Sequence, residues 1–184
     1  MNQEVTASNP VARVPWLRML LVFALVAGGL QALWSAARGT AVEQAVIDGA
    51  TVHTSVALID WLTPAVGVRG EGARIRAPGG GINILNGCEG TEVLFLIVAA
   101  MLAYPASWSR RAAGLLAAVA VVFVLNQVRL LTLFYGLRAH RDLFSSLHGL
   151  VTPLVLVLCS VLFFIGWMAW AQRAARPPAT PESA

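Results

Sequence analysis

Four long apolar runs, at about residues 16–37, 89–108, 112–137 and 149–171, constrain this chain more than any other feature. Each is long enough to cross the hydrocarbon of a bilayer as a helix. A backbone crossing lipid finds no water for its N–H and C=O groups, so such runs fold as helices that satisfy them internally. Composition agrees, since 58% of the 184 residues are hydrophobic and only 12% are charged. The expected fold class is therefore an all-α membrane protein with about four transmembrane helices, residues 16–171 forming one integral-membrane domain. Arg13 and Arg18 ahead of the first run, and Ser35-Ala36-Ala37 at its end, also fit a cleaved signal peptide. The run exceeds a usual signal core, so a retained span is the expectation.

Orientation follows from arginine, which supplies all thirteen cationic residues. Arg13, Arg18, Arg110, Arg111, Arg173 and Arg176 fall on one side of a four-span chain, which the positive-inside rule makes cytoplasmic. The flanking residues 1–15 and 172–184 are then cytoplasmic, and the Pro-rich tail has too little apolar content to fold. Arg38, Arg69, Arg74, Arg76, Arg138 and Arg141 fall on the opposite side and count against the rule. The basic excess reads as topology and not as a nucleic-acid surface.

Residues 38–88 make up the extracytoplasmic segment. Val42, Val46, Gly49, Val52, Val56 and Ile59 recur at helical spacing between Ala41 and Leu62, interrupted by Glu43, Asp48 and Asp60. That pattern predicts an amphipathic helix lying on the membrane surface, with His53 on it. A re-entrant or spanning path is the alternative. The stretch Val68–Ala77, the turn Pro78-Gly79-Gly80-Gly81 and the stretch Ile82–Leu85 predict a β-hairpin. Arg69, Arg74 and Arg76 read as its solvated face. No Lys exists to make the Gly run a phosphate loop of the Walker type.

Chemistry gathers where that segment meets the second span. Cys88, in Asn86-Gly87-Cys88-Glu89-Gly90, stands at the start of an apolar helix, where unpaired backbone N–H groups and the helix dipole suit a nucleophile. Arg129 lies about 27 Å along the third span from Arg111, near the outer boundary. A guanidinium there costs several kcal/mol unless it is paired or wet. Asn126, one turn below, shares its face. His148 opens the fourth span on the same side. Thiol, imidazole and fixed cation at one depth suit acyl transfer: nucleophile, general acid/base and oxyanion stabiliser. His140, between Arg138 and Arg141 in a loop, is the rival histidine. Cys159 lies too deep in the last span to pair with Cys88, and the three histidines are too scattered to hold a metal. No cofactor is implied.

Asn86-Gly87-Cys88-Glu89-Gly90, then Asn126-Gln127-Val128-Arg129, then His148 resemble, in order and placement, the exosortase/archaeosortase family of membrane cysteine transpeptidases, over roughly residues 68–165. The resemblance implies an enzyme of the bacterial inner membrane, its site toward the periplasmic face. It would cleave secreted proteins that carry a C-terminal motif, a transmembrane helix and an Arg-rich tail. Cys88 would be the nucleophile, His148 the general acid/base and Arg129 the oxyanion or substrate stabiliser, with Asn126, Glu89 and Gly90 supporting. The acyl group would pass to an amine or to water. Glu89 replaces the Ser commoner after the family's cysteine, which leaves its role open. Two other readings are a non-catalytic assembly factor or solute carrier using Arg129 to pair an anion, and a membrane thiol oxidoreductase.

Overall fold

The computed structural model describes residues 15–85 and 87–174. The expectations for the cytoplasmic N-terminal segment, for Arg13 and Arg176, and for Asn86 lie outside the described residues.

Four apolar helices build the bundle: α1 (Pro15–Ala37), α4 (Thr91–Ala103), α5 (Trp108–Ala139) and α7 (Thr152–Arg173). The helices at Trp16–Ala37, Trp108–Ala139 and Arg141–Arg173 are long and apolar enough to cross a bilayer. The chain is an all-α membrane protein. Leu25, Leu116, Leu154 and Leu162 point outward and are exposed, as lipid-facing leucines are. At the Arg110 end, Ile97 and Met101 of α4 meet Ala118 and Val122 of α5 and Trp167 of α7. Gly114 lets α5 and α7 touch, because a Cβ there would strike the Trp167 indole. The indole Nε1–H donates to Arg110 O at 3.2 Å, which fixes the crossing.

α4 is shorter than the expected 89–108 run. At 13 residues it rises about 20 Å, some 10 Å less than the hydrocarbon thickness. Tyr104 turns extended ahead of Pro105, which ends the helix. Arg111 Nη2 donates to Tyr104 O at 2.8 Å and ties that end to the first turn of α5. The opposite end of α4, with the Cys88 loop before it, is consequently recessed relative to the end of the longer α5.

α5 continues past that recess and carries a second core. The expected amphipathic helix is present as α2 (Ala41–Gln44), a π-helical stretch Ala45–Val52 and α3 (His53–Leu62). Its inward residues Ile47, Val52 and Ile59 cluster with Leu130, Leu133 and Phe134 of α5, so this face packs on protein. Ser55 Oγ donates to Gln127 Oε1 at 2.6 Å and locks α3 to α5.

The expected two-strand hairpin is a three-strand antiparallel meander, β1 (Arg69–Glu71), β2 (Arg74–Ala77) and β3 (Gly80–Asn83). The Pro78-Gly79 turn joins β2 and β3, and a second turn at Gly72-Ala73 splits the long first stretch. Ile75 pairs with Ile82 on the buried face, placing Arg74 and Arg76 outward. The expected loop after α5 is also mostly helical. α6 (Arg141–Ser146) and a π-helical turn Leu147–Val151 lead into α7, and Thr152 Oγ1 donates to Leu147 O at 2.9 Å across that widened turn. His148 therefore sits within a helical run and not at its start.

Candidate functional site

Cys88 occupies the irregular segment between β3 and α4. Its N–H donates to Leu85 O at 2.9 Å, and α4 begins three residues later behind the cap residue Gly90. The thiol thus precedes the helix instead of lying in its first turn. Gly90 holds φ +83, and a Cβ on it would come within 3.2 Å of Asn126 Cγ. Glycine is needed both for the backbone conformation and for this close approach. Gly90 and Asn126, assigned supporting places by their motifs, are thereby in contact.

Arg129 reaches the same loop: Nη1 donates to Gly87 O at 3.4 Å, one residue from Cys88. Its side chain is buried, and Nε has no partner among the described residues. Asn126 Oδ1 is likewise buried without one. Glu89 is 7% exposed; Oε1 accepts from Trp34 Nε1 at 3.1 Å and from Thr91 Oγ1 at 2.9 Å, while Oε2 has no partner among the described residues. Arg129 Nε, Asn126 Oδ1 and Glu89 Oε2 are thus three buried polar atoms around one thiol-bearing loop without a partner among the described residues, and each such atom left unsatisfied costs about 1–3 kcal/mol.

His148 is half-buried in the π-helical turn, with its ring stacked on Phe144 at 5.6 Å. Among the described residues it hydrogen-bonds to neither Cys88 nor Arg129. Its neighbours Phe144 and Leu147 pack against the cluster that contains Cys88. The fold thus joins Cys88, Glu89, Gly90, Asn126 and Arg129 directly, and His148 through the packing of its helix. His53 and His140 are exposed, His53 beside the sheet at Gly70. Cys159 is a free, partly buried thiol in α7.

Two residues escaped the sequence reading. Trp34, near the end of α1, looks like any aromatic at a membrane interface, and only its bond to Glu89 shows that α1 touches the site. Glu92 stands in the first turn of α4 with its carboxylate beside Gly87. A carboxylate four residues past the thiol carries no motif.

The fold thus brings the Arg129 guanidinium of α5 to a loop that carries the buried Cys88 thiol and the buried Glu89 carboxylate. The model of the transmembrane exosortase family matches residues 5–165, and the chain belongs to that family. The match takes in α1 with Trp34 as well as the segments bearing Cys88, Asn126, Arg129 and His148. No curated protein and no solved structure matches the chain.

Proposed function

We propose that this chain is a cysteine peptidase-transpeptidase that cleaves C-terminal sorting signals of secreted proteins near the outer face of the bacterial inner membrane. The observation that carries the reading is the bond from Arg129, a cation buried on an apolar helix, to the carbonyl next to Cys88. Family membership supports a transpeptidase-type role in sorting. In this reading Cys88 Sγ attacks the scissile carbonyl and Arg129 stabilises the oxyanion. His148 protonates the leaving amine as the C–N bond breaks, leaving a thioester on Cys88. An acceptor amine or water then attacks the thioester carbon, and the sulfur leaves with a proton. Substrates would carry a C-terminal motif, a transmembrane helix and an Arg-rich tail.

The test is cleavage of a co-expressed protein bearing such a signal. Cys88→Ala at matched membrane levels should reduce the rate by about a thousandfold or more. Undiminished cleavage by Cys88→Ala would sink the mechanism. The non-catalytic alternative, in which Arg129 pairs an anionic partner, expects Cys88→Ala to be silent and Arg129→Ala to be damaging.

A further inference from the structure

Four of the six arginines that run against the positive-inside rule line two hollows that share Gly80. Arg74 and Arg76 project from the polar face of the sheet beside Asn83, and with Gly80 and Gly81 they line a cavity of about 240 Å³. Arg138 and Arg141 line an adjoining one of about 190 Å³ with Gly79 and Gly80. Gly80 belongs to both, so the two hollows meet where the chain has no side chain to fill them.

Two of the guanidiniums are held in position. Arg138 Nη1 donates to Pro78 O at 2.8 Å and its guanidinium lies over the Phe134 ring at 5.6 Å. Arg141 Nη2 donates to Gly79 O at 3.1 Å. Each keeps further N–H donors free of these bonds, because a guanidinium carries five. No carboxylate lines either cavity; Glu71 pairs with Arg76 at 2.8 Å from outside them. That leaves Arg74, Arg138 and Arg141 as cations without a carboxylate partner among the described residues, and fixed guanidinium forks suit phosphate oxygens.

Depth selects the source of that phosphate. Arg111 lies 5.2 Å from the Trp108 ring, a cation and an aromatic of the kind that mark an interface. Arg138 stands about 40 Å further along α5, at 1.5 Å per residue. That rise matches the full thickness of a bilayer with its headgroups, roughly 40–45 Å. The arginine cluster therefore sits in the opposite headgroup layer. We infer that this surface binds the phosphate of an anionic phospholipid headgroup, pinning the β2–β3 turn to the membrane surface. Since β3 runs directly into the segment holding Cys88, the lipid also sets the depth of that loop.

Binding is read without any activity, so the inference stands or falls apart from the proposed chemistry. Full-length protein is placed in mixed micelles of phosphatidylcholine with phosphatidylglycerol, and retained lipid is measured by native mass spectrometry. Wild type should keep phosphatidylglycerol in preference to phosphatidylcholine. At about fivefold for each arginine near the surface, the Arg138→Gln/Arg141→Gln double variant should weaken that retention about 25-fold, and Arg38→Gln, outside the cavities, by less than about twofold. Because Arg138 and Arg141 also tether the turn, Arg74→Gln, which breaks no hydrogen bond to it, provides a second variant with an expected loss of about fivefold. Equal retention in wild type and all variants overturns the inference. Displacement of bound anion by inorganic phosphate, with no preference for phosphatidylglycerol over phosphatidylcholine, overturns the lipid as its source.

Discussion

At the scale of single residues, Arg129 separates a structural from a functional role. Among the described residues its buried guanidinium has one long hydrogen bond and an unpartnered Nε, contacts that return little against the cost of desolvation. Arg129→Met should leave the thermal unfolding temperature in detergent unchanged or raised, while cleavage falls by two to three orders of magnitude. Lost stability with normal cleavage would assign Arg129 to the fold instead. Gly90 makes the opposite prediction. With φ +83 and Asn126 beneath it, Gly90→Ala should cost about 1–3 kcal/mol, read as an earlier unfolding transition. An unshifted transition would mean that the loop can relax away from α5.

At the scale of elements, α1 is bound to the site by one polar tie among the described residues. Trp34 Nε1–H is one of two donors to the buried Glu89 carboxylate among the described residues, so Trp34→Phe keeps an aromatic ring and removes the bond. The expected cost is about 1–3 kcal/mol in an unfolding assay, against no measurable change for Trp16→Phe at an exposed position. Equal effects would show that the indole contributes by packing alone, as its edge-on contact with Phe95 allows. The same tie bears on signal cleavage, since removing α1 would leave Glu89 with Thr91 as its donor. Intact-mass measurement of purified protein should find α1 retained, and a mature chain starting after Ala37 would overturn this. Helix boundaries were legible to different degrees. The runs at 16–37 and 112–137 showed as continuous hydropathy, and α1 and α5 occupy them with modest extension. The 89–108 run contracted to α4 because Pro105 and the glycines before Thr91 stop a helix that hydropathy alone would continue. The Gly72-Ala73 turn was hidden because a two-residue turn inside a short polar stretch resembles partial strand alternation.

At the scale of the whole molecule, the short α4 and the overlying sheet place Cys88 in a recess. The side chain is 8% exposed and belongs to a core cluster with Ile84 and Leu130. In sealed right-side-out vesicles, small permeant N-ethylmaleimide should label it at least about tenfold faster than a bulky charged maleimide, as entry into an apolar recess demands. Equal rates would place the thiol in open water. The sequence by itself determined the class of protein, since runs of twenty apolar residues have no other stable home than lipid. It also determined which polar residues stand out, because Cys88, Asn126 and Arg129 interrupt or abut segments that are otherwise apolar. Tertiary structure alone decided that Glu89 meets Trp34 from 55 residues away, that Gly90 rests on Asn126, and that Gly80 lines both the hollow of Arg74 and Arg76 and that of Arg138 and Arg141. Hydropathy and spacing are local along the chain. Partners across the bundle are chosen by how helices of unequal length stack, a property no local pattern carries.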